Sequence, residues 1–324
     1  MKLSAMLIAI ASSLTIQAVN AADTYPSKPV TIVAPYGAGG ASDLAARSLA
    51  EAARKYIGDQ PVLVVNKTGN GGMTGARFVS KAKADGYTLL LARSGMALYP
   101  AVNKKSKLGW DSYSFLGSLE ATPMILTVNA SSPYNTVEEL LAGIKEKDGA
   151  MTFGASGPTA IDGFSVQAML TDAGLNPQTA TTLIPYRGGS ALSTALLGNH
   201  VDFLAIAAGS LMPHIQAGKL RPLAVFAPKR MQTLPDVPTM TELGYTKSGQ
   251  ITGWSALYGP KDLPKEIVTQ WKQVLTSVAK DEGWLDLTEK RGSISTVAEL
   301  DQEAYSKSQY ELYRELAIKF GYVK

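Results

Sequence analysis

Ile32-Val33-Ala34-Pro35-Tyr36-Gly37-Ala38-Gly39-Gly40-Ala41-Ser42-Asp43 decides how this chain is read, because a β-branched apolar run breaks into a glycine loop that opens an alanine-rich helix. Such a junction aims backbone N–H groups that lack a helical acceptor at an anion. A second loop of the same kind, Gly154-Ala155-Ser156-Gly157-Pro158-Thr159-Ala160, follows the apolar run Met151 to Phe153. Two anion cradles on different lobes imply a clamp.

Outward from the first loop, short aliphatic runs alternate with helical stretches. The pattern predicts a strand from Val30 to Ala34, a helix from Ser42 to Tyr56, a strand from Val62 to Asn66, a helix from Gly72 to Lys81 and a strand from Thr88 to Ala92. This is the βαβ rhythm of a mostly parallel sheet covered by helices. In the first helix Leu44, Ala45, Leu49, Ala52 and Ala53 mark the apolar side, and Asp43, Arg47, Glu51 and Arg54 the wet side. The apolar run Met124 to Val128 follows, then Thr136, whose Glu138 and Glu139 signal a helix start.

The middle third repeats the rhythm: Met151 to Gly154, helix Gly163 to Ala173, strand Thr182 to Pro185, helix Ser190 to Leu197, strand Val201 to Ala207, helix Ser210 to Ala217 and strand Arg221 to Ala227. It reads as a lobe of its own. Thr252 to Tyr258 and helices Lys265 to Lys280, Gly283 to Glu289 and Val297 to Phe320 complete the chain and are expected to return over the first lobe.

Met1 and Lys2, the apolar stretch Leu3 to Ile16 and the small-residue site Val19-Asn20-Ala21 have the charge, core and cleavage pattern of a secretory signal. The apolar core is shorter than the ~20 residues a spanning helix needs. Cleavage after Ala21 removes 21 of the 324 residues and leaves 303, enough for two lobes on the usual domain-size prior. Without Lys2 the formal net charge falls from +4 to +3, and no basic run interleaved with aromatics supports nucleic-acid binding. The absence of cysteine excludes disulfides, thiolate metal sites, a cysteine nucleophile and a lipid-anchored N-terminal Cys. A free, monomeric periplasmic protein without metal or cofactor fits best.

Each loop has a rival reading. Gly37-Ala38-Gly39 begins a dinucleotide fingerprint, but its last glycine position is Ser42. The same turn could be purely structural, with Ser42 or Asp43 as helix N-cap. Ser156 lies one residue away from a hydrolase elbow, Pro158 standing at the final glycine position, and only His200 and His214 are available as a base. Arg93-Ser94-Gly95-Met96, Tyr186-Arg187-Gly188-Gly189 and Ala207-Ala208-Gly209-Ser210 follow strands and would face the same cleft, where Arg93 or Arg187 could fork onto a carboxylate. Asp43 would repel a bound carboxylate and is expected to cap its own helix.

From Tyr25-Pro26-Ser27-Lys28-Pro29 through Asp43 the chain resembles the extracytoplasmic solute receptors of tripartite tricarboxylate transporters, the Bug or TctC family. Asn66-Lys67-Thr68-Gly69-Asn70-Gly71-Gly72, Asp85-Gly86-Tyr87-Thr88-Leu89, Gly154 to Gly157, Tyr186 to Gly189 and Gly198-Asn199-His200-Val201-Asp202 agree in order over essentially the whole mature chain. The resemblance implies an α/β type II periplasmic binding protein fold of two doubly wound lobes joined by two crossing strands. Residues 22–123 and 250–324 would form lobe 1, and 124–249 lobe 2. It further implies that Tyr36, Ala38, Gly39, Gly40 and Ser42 on one side, and Ser156, Gly157 and Thr159 on the other, grip one carboxylate. Ala38 stands where family members usually have proline. Arg93 stands where many carry a small polar residue, so Arg93 is expected to select a second anionic group; Ser94, Tyr186, Arg187 and Asp202 complete the expected site.

The expected function is capture of an organic carboxylate (a di- or tricarboxylate, an acidic amino acid or an aromatic carboxylate) and its delivery to transporter subunits, without catalysis. A secreted serine hydrolase using Ser156, or a ligand-sensing module for a signalling kinase, are the alternatives.

Overall fold

The computed structural model describes residues 25–323, so the leader expected at residues 1–21 lies outside the described residues. In chain order the strands and helices are β1 (Val30–Ala34), α1 (Ala41–Ala53), β2 (Val62–Asn66), α2 (Met73–Ser80), β3 (Thr88–Arg93), α3 (Gly95–Val102), β4 (Tyr113–Thr122), β5 (Met124–Asn129), α4 (Val137–Lys147), β6 (Thr152–Ala155) and α5 (Ile161–Asp172). There follow β7 (Thr182–Pro185), α6 (Gly189–Leu197), β8 (Phe203–Ala207), α7 (Met212–Gln216), β9 (Leu220–Phe226), β10 (Gly253–Pro260), α8 (Lys265–Val278), α9 (Glu282–Lys290), β11 (Ile294–Ser295) and α10 (Gln302–Lys319).

The strands form two sheets, ordered β11-β4-β10-β3-β1-β2 and β7-β6-β8-β5-β9. β1 runs parallel to β2 and β3, and β6 parallel to β7 and β8, as βαβ crossovers require. β10 is antiparallel to β3 and β4, and β5 to β8 and β9. Alternate residues of β1 and β3 serve opposite faces. Val30, Ile32, Leu89 and Leu91 pack with Leu49 of α1, Trp271 of α8 and Trp284 of α9, whereas Val33, Leu90 and Ala92 pack with Met73 of α2 and with α3 and α10. α10 also reaches the second sheet's helices, its Tyr313 and the following Phe320 lying 5.7 and 4.9 Å from the Phe164 ring of α5.

The chain passes from the first sheet to the second at Pro123, between the end of β4 and the start of β5, and returns ahead of β10. The two passages lie side by side, because Thr122 and Gly253 are register partners and Thr252 Oγ1 donates to Thr122 O at 3.3 Å. Arg93, the last residue of β3, pairs with Ser255, and Ala207, the last of β8, pairs with Met124. The carboxyl ends of both parallel strand sets therefore converge on the crossing, which is where ligands settle in open α/β sheets.

Local structure departs from the periodicity at identifiable places. Asp43, expected on the wet side of α1, is buried, and Leu44 is 43% exposed, because hydrogen bonds draw the carboxylate inward. Residues 95–102 form α3 where only a loop was expected, and Pro100 sits inside it. The helix expected from Ser210 is a 3-10 turn over Ala208–Ser210 and then α7, with Pro213 in its first turn. α10 starts at Gln302 rather than Val297, because Asp301 accepts the Glu303 and Ala304 amides as its N-cap.

Candidate ligand site

The first cradle lies between β1 and α1. Gly39 has φ +75°, a backbone that favours glycine, and Gly40 is the N-cap, correcting the expectation of Ser42 or Asp43 in that role. The first helical bond runs from Leu44 N to Gly40 O at 3.0 Å, so the Ala41, Ser42 and Asp43 amides have no intrahelical acceptor. Asp43 caps no helix end by itself. Its Oδ2 accepts from Gly39 N at 2.9 Å and Arg47 Nε at 3.0 Å, and its Oδ1 from Asn66 Nδ2 at 2.9 Å. The Arg47 hydrogen bond, helped by those from Gly39 and Asn66, outweighs burial and holds the Asp43 carboxyl down to about 2.

Asn66 also donates to Tyr36 O at 3.0 Å, tying the loop to the end of β2. The half-buried Tyr36 donates its hydroxyl to Gly71 O at 2.9 Å and lays its ring against Gly72. Burial pushes the Tyr36 phenol up, while the Arg93 charge pulls the other way, so Arg93 acts on this loop through space. Ala38, Gly39 and Gly40 are exposed, and Ser42 Oγ is buried without a partner among the described residues.

The second cradle repeats the device. Asp162, in the first turn of α5, accepts Ser156 N at 2.9 Å and Ser156 Oγ at 2.6 Å on Oδ2, and Gly163 N at 2.7 Å on Oδ1. Burial pushes its carboxyl up against the lowering effect of those bonds. The Pro158 carbonyl accepts from Gln167 Nε2 at 2.7 Å, fixing the far side of the loop. Ser156, Pro158 and Thr159 are exposed and Gly157 is half-buried. In each cradle an acid on the helix takes a loop amide; Asp43 leaves the first amides of α1 for a guest, whereas Asp162 also takes the Gly163 amide, so fewer of the first amides of α5 remain.

Tyr186 follows β7 beside Ser156, its N–H donating to Ala155 O at 2.9 Å; it is half-buried, and Arg187 is exposed. Gly188, with φ +83°, caps α6. Ser94 is buried and donates its N–H to Trp254 O at 3.1 Å.

Two expectations change. Arg93 is not a free hook: its Nη1 pairs with Glu120 Oε1 at 3.3 Å, and Glu120 Oε2 takes Arg291 Nη2 at 2.8 Å. Asp202 sits at the amino end of the second sheet, where it accepts Thr152 N at 2.7 Å and Thr152 Oγ1 at 2.8 Å. Thr152 opens β6 and Ser156 follows its end, about 13 Å apart at the usual strand rise, so Asp202 does not belong with the cradle. His200 stands in the exposed turn at that same amino end, and Ser156 Oγ is bonded to an aspartate rather than to a histidine.

Asp162, Glu120 and Arg291 were missed. Asp162 had a usable signal, an acid at the head of a helix after a glycine loop, as at Asp43. Glu120 had a weaker one, a lone carboxylate between Leu119 and Ala121. Among the described residues, no three or more His, Asp or Glu side chains come together as a metal site would need.

Comparison with known proteins agrees with this architecture. Residues 45–318 match the family described as tripartite tricarboxylate transporter family receptor. The chain is 34% identical over 293 residues to the UPF0065 protein in the TAR-I ttuE-ttuC' intergenic region of Agrobacterium vitis, covering 87% of this chain and 82% of that protein. The structure of the periplasmic binding protein BugD superposes with a TM-score of 0.77 at 30% identity, covering 92% of this chain and 99% of BugD. MatC of Rhodopseudomonas palustris with bound malate gives 0.77 at 21% identity, covering 90% of this chain and 100% of MatC. A second R. palustris protein, solved with adipate, gives 0.78 at 22% identity, covering 92% of this chain and 98% of that one. The two-sheet α/β fold is that of periplasmic binding proteins, as the sequence led us to expect.

Proposed function

Because this chain belongs to the receptor family of tripartite tricarboxylate transporters, we propose that it is an exported periplasmic receptor that captures an organic carboxylate between two lobes and presents it to a membrane transporter of that class. Residues 22–123 and 250–324 make one lobe and 124–249 the other, and the leader is removed after Ala21. No helix among the described residues is long and apolar enough to cross a membrane. The observation that carries the reading is the convergence of the carboxyl ends of both parallel strand sets on one crossing, each end carrying an amide cradle at a helix start.

Energetics favour a shared grip. A partly buried helix N-terminus contributes up to ~2 kcal/mol toward an anion, whereas a micromolar dissociation constant needs ~8 kcal/mol. One loop falls short of that. Two loops add charge-assisted hydrogen bonds from both sides, apolar contact from Tyr36 and Tyr186, and exclusion of water. The bound carboxylate then shifts the open and closed populations by its differential affinity, giving a transporter a closed face to read. The malate and adipate held by two structural relatives support a carboxylate as guest.

A thermal-shift screen of the mature protein against mono-, di- and tricarboxylates, acidic amino acids and aromatic carboxylates tests this. A carboxylate-dependent rise in melting temperature is expected, and no response from any class would contradict it.

A further inference from the structure

Arg93, Ser255 and Glu120 stand side by side at the ends of adjacent strands: Ser255 of β10 is the register partner of Arg93 on β3 and of Glu120 on β4. All three therefore project from one face of the sheet. Arg291 reaches the same carboxylate from beyond α9, donating Nη2 to Glu120 at 2.8 Å and Nη1 to Ser48 Oγ of α1 at 2.8 Å. Two guanidiniums thus share one carboxylate whose side chain is 1% exposed, and the cluster carries a formal charge of +1.

The donors of this cluster exceed its acceptors. Each guanidinium has five N–H groups in a planar fork, yet among the described residues Arg93 makes a single long contact, of 3.3 Å to Glu120. Arg291 Nε and Ser255 Oγ are buried without hydrogen-bond partners among the described residues. Excess buried positive charge and orphaned donors are unfavourable unless an anion completes them. Both guanidiniums are partly exposed, Arg93 by 15% and Arg291 by 13% against 1% for Glu120, and Arg93 lies at the carboxyl edge of β3 where the chain crosses between sheets. Its charge is felt by Tyr36 of the first cradle. The backbone of Arg291 lies against the 3-10 turn that follows β8, since a side-chain carbon built on Gly209 would come within 2.7 Å of Arg291 O.

We propose that the Arg93–Glu120–Arg291 cluster, with Ser255 beneath it, is a second anion subsite in the crevice that binds the distal carboxylate of a dicarboxylate ligand and so sets the receptor's specificity. The inference rests on the carboxylate-receptor reading above. The cradles then hold one carboxylate, Arg93 forks onto the other, and Glu120 holds Arg93 in position while cancelling only half of the cluster's positive charge.

The test is isothermal titration of the mature protein with matched pairs of saturated mono- and α,ω-dicarboxylates from three to eight carbons, propionate with malonate through octanoate with suberate. In the wild type the best dicarboxylate is expected to bind at least tenfold more tightly than its monocarboxylate partner. Arg93→Gln, which keeps a donor toward Glu120, is expected to lower that ratio tenfold or more. If monocarboxylates bind as well as their partners, or if the ratio survives in Arg93→Gln, this subsite is overturned while the carboxylate-receptor reading stands. The wild-type ratio needs no variant, so a failure of Arg93→Gln to fold does not shelter the proposal. Lack of binding by any member of the series, with no response in the carboxylate screen, would overturn both.

Discussion

The Ser156 hydroxyl donates to the buried Asp162 carboxylate at 2.6 Å, six residues along the chain. That bond turns the proton of the only serine in the glycine loop toward a helix-borne acid and away from any substrate carbonyl. A serine so engaged orients a loop, and among the described residues no imidazole is bonded to it as the general base of a serine–histidine pair would be. The mature protein is therefore expected to show no turnover of chromogenic esters above background. Hydrolysis that Ser156→Ala abolishes would contradict this.

Asp43 links pH to stability. Its folded value, about 2, lies below the ordinary aspartate value of 3.8, so its contribution is fully present above about pH 4 and is lost as pH falls toward 2. Asp43→Asn is expected to lower stability by ~1–2 kcal/mol at pH 7, and the gap to wild type should close on acidification. Urea melts from pH 7 to pH 2 measure it; a gap that persists at pH 2 would refute the assignment. Asp162 runs the other way. Its folded value is raised by burial, so its contribution is greatest below about pH 4 and declines as pH rises through the folded value.

Gly163 lets α5 approach its own loop. A side-chain carbon there would overlap the Gly157 carbonyl oxygen and press on Pro158 Cα at 3.2 Å. Gly163→Ala is expected to destabilise the protein by ~1–3 kcal/mol through overpacking and to weaken carboxylate binding with it. Gly174→Ala in the turn after the far end of α5, where no atom lies within 4 Å but φ is +72°, should cost stability without the binding loss. Denaturant melts and titration calorimetry separate the two effects.

Asp202 gives the complementary check. Its carboxylate ties the start of β6 through Thr152, at the amino end of the sheet. Asp202→Asn is expected to lower the melting temperature while leaving carboxylate affinity within about twofold, since the ~1 kcal/mol of a lost hydrogen bond falls on folding alone. A tenfold affinity loss in the folded variant would return Asp202 to the site.

What the sequence disclosed and withheld follows from the range of the interactions. Val30–Ala34, Val62–Asn66 and Thr182–Pro185 were legible to the residue, because β-branched runs bounded by glycine, proline or asparagine carry local signals. Thr136 was legible as a helix start, and its side chain accepts the Glu139 amide at 3.1 Å. Both cradle loops could be located because a glycine loop between strand and helix is also local. Their internal acids could not: Asp43 is defined by Asn66, 23 residues away, and by its burial. Arg93 was placed at a strand end correctly, but its tie to Glu120 depends on the register of three strands, two of them far apart in sequence. Asp202 misled because its motif follows a helix and looks like a loop of the site, whereas the parallel pairing of β6 and β8 sends that turn to the opposite edge.

A clamp differs from a one-sided site in that two amide cradles share one carboxylate. A crystal structure of the mature protein with the best carboxylate from the thermal-shift screen tests it most directly. One carboxylate group is expected within hydrogen-bond distance, ~2.7–3.2 Å, of amides from both the 36–42 and the 156–159 loops. A carboxylate held by one loop alone, with the other cradle turned to solvent, would contradict it.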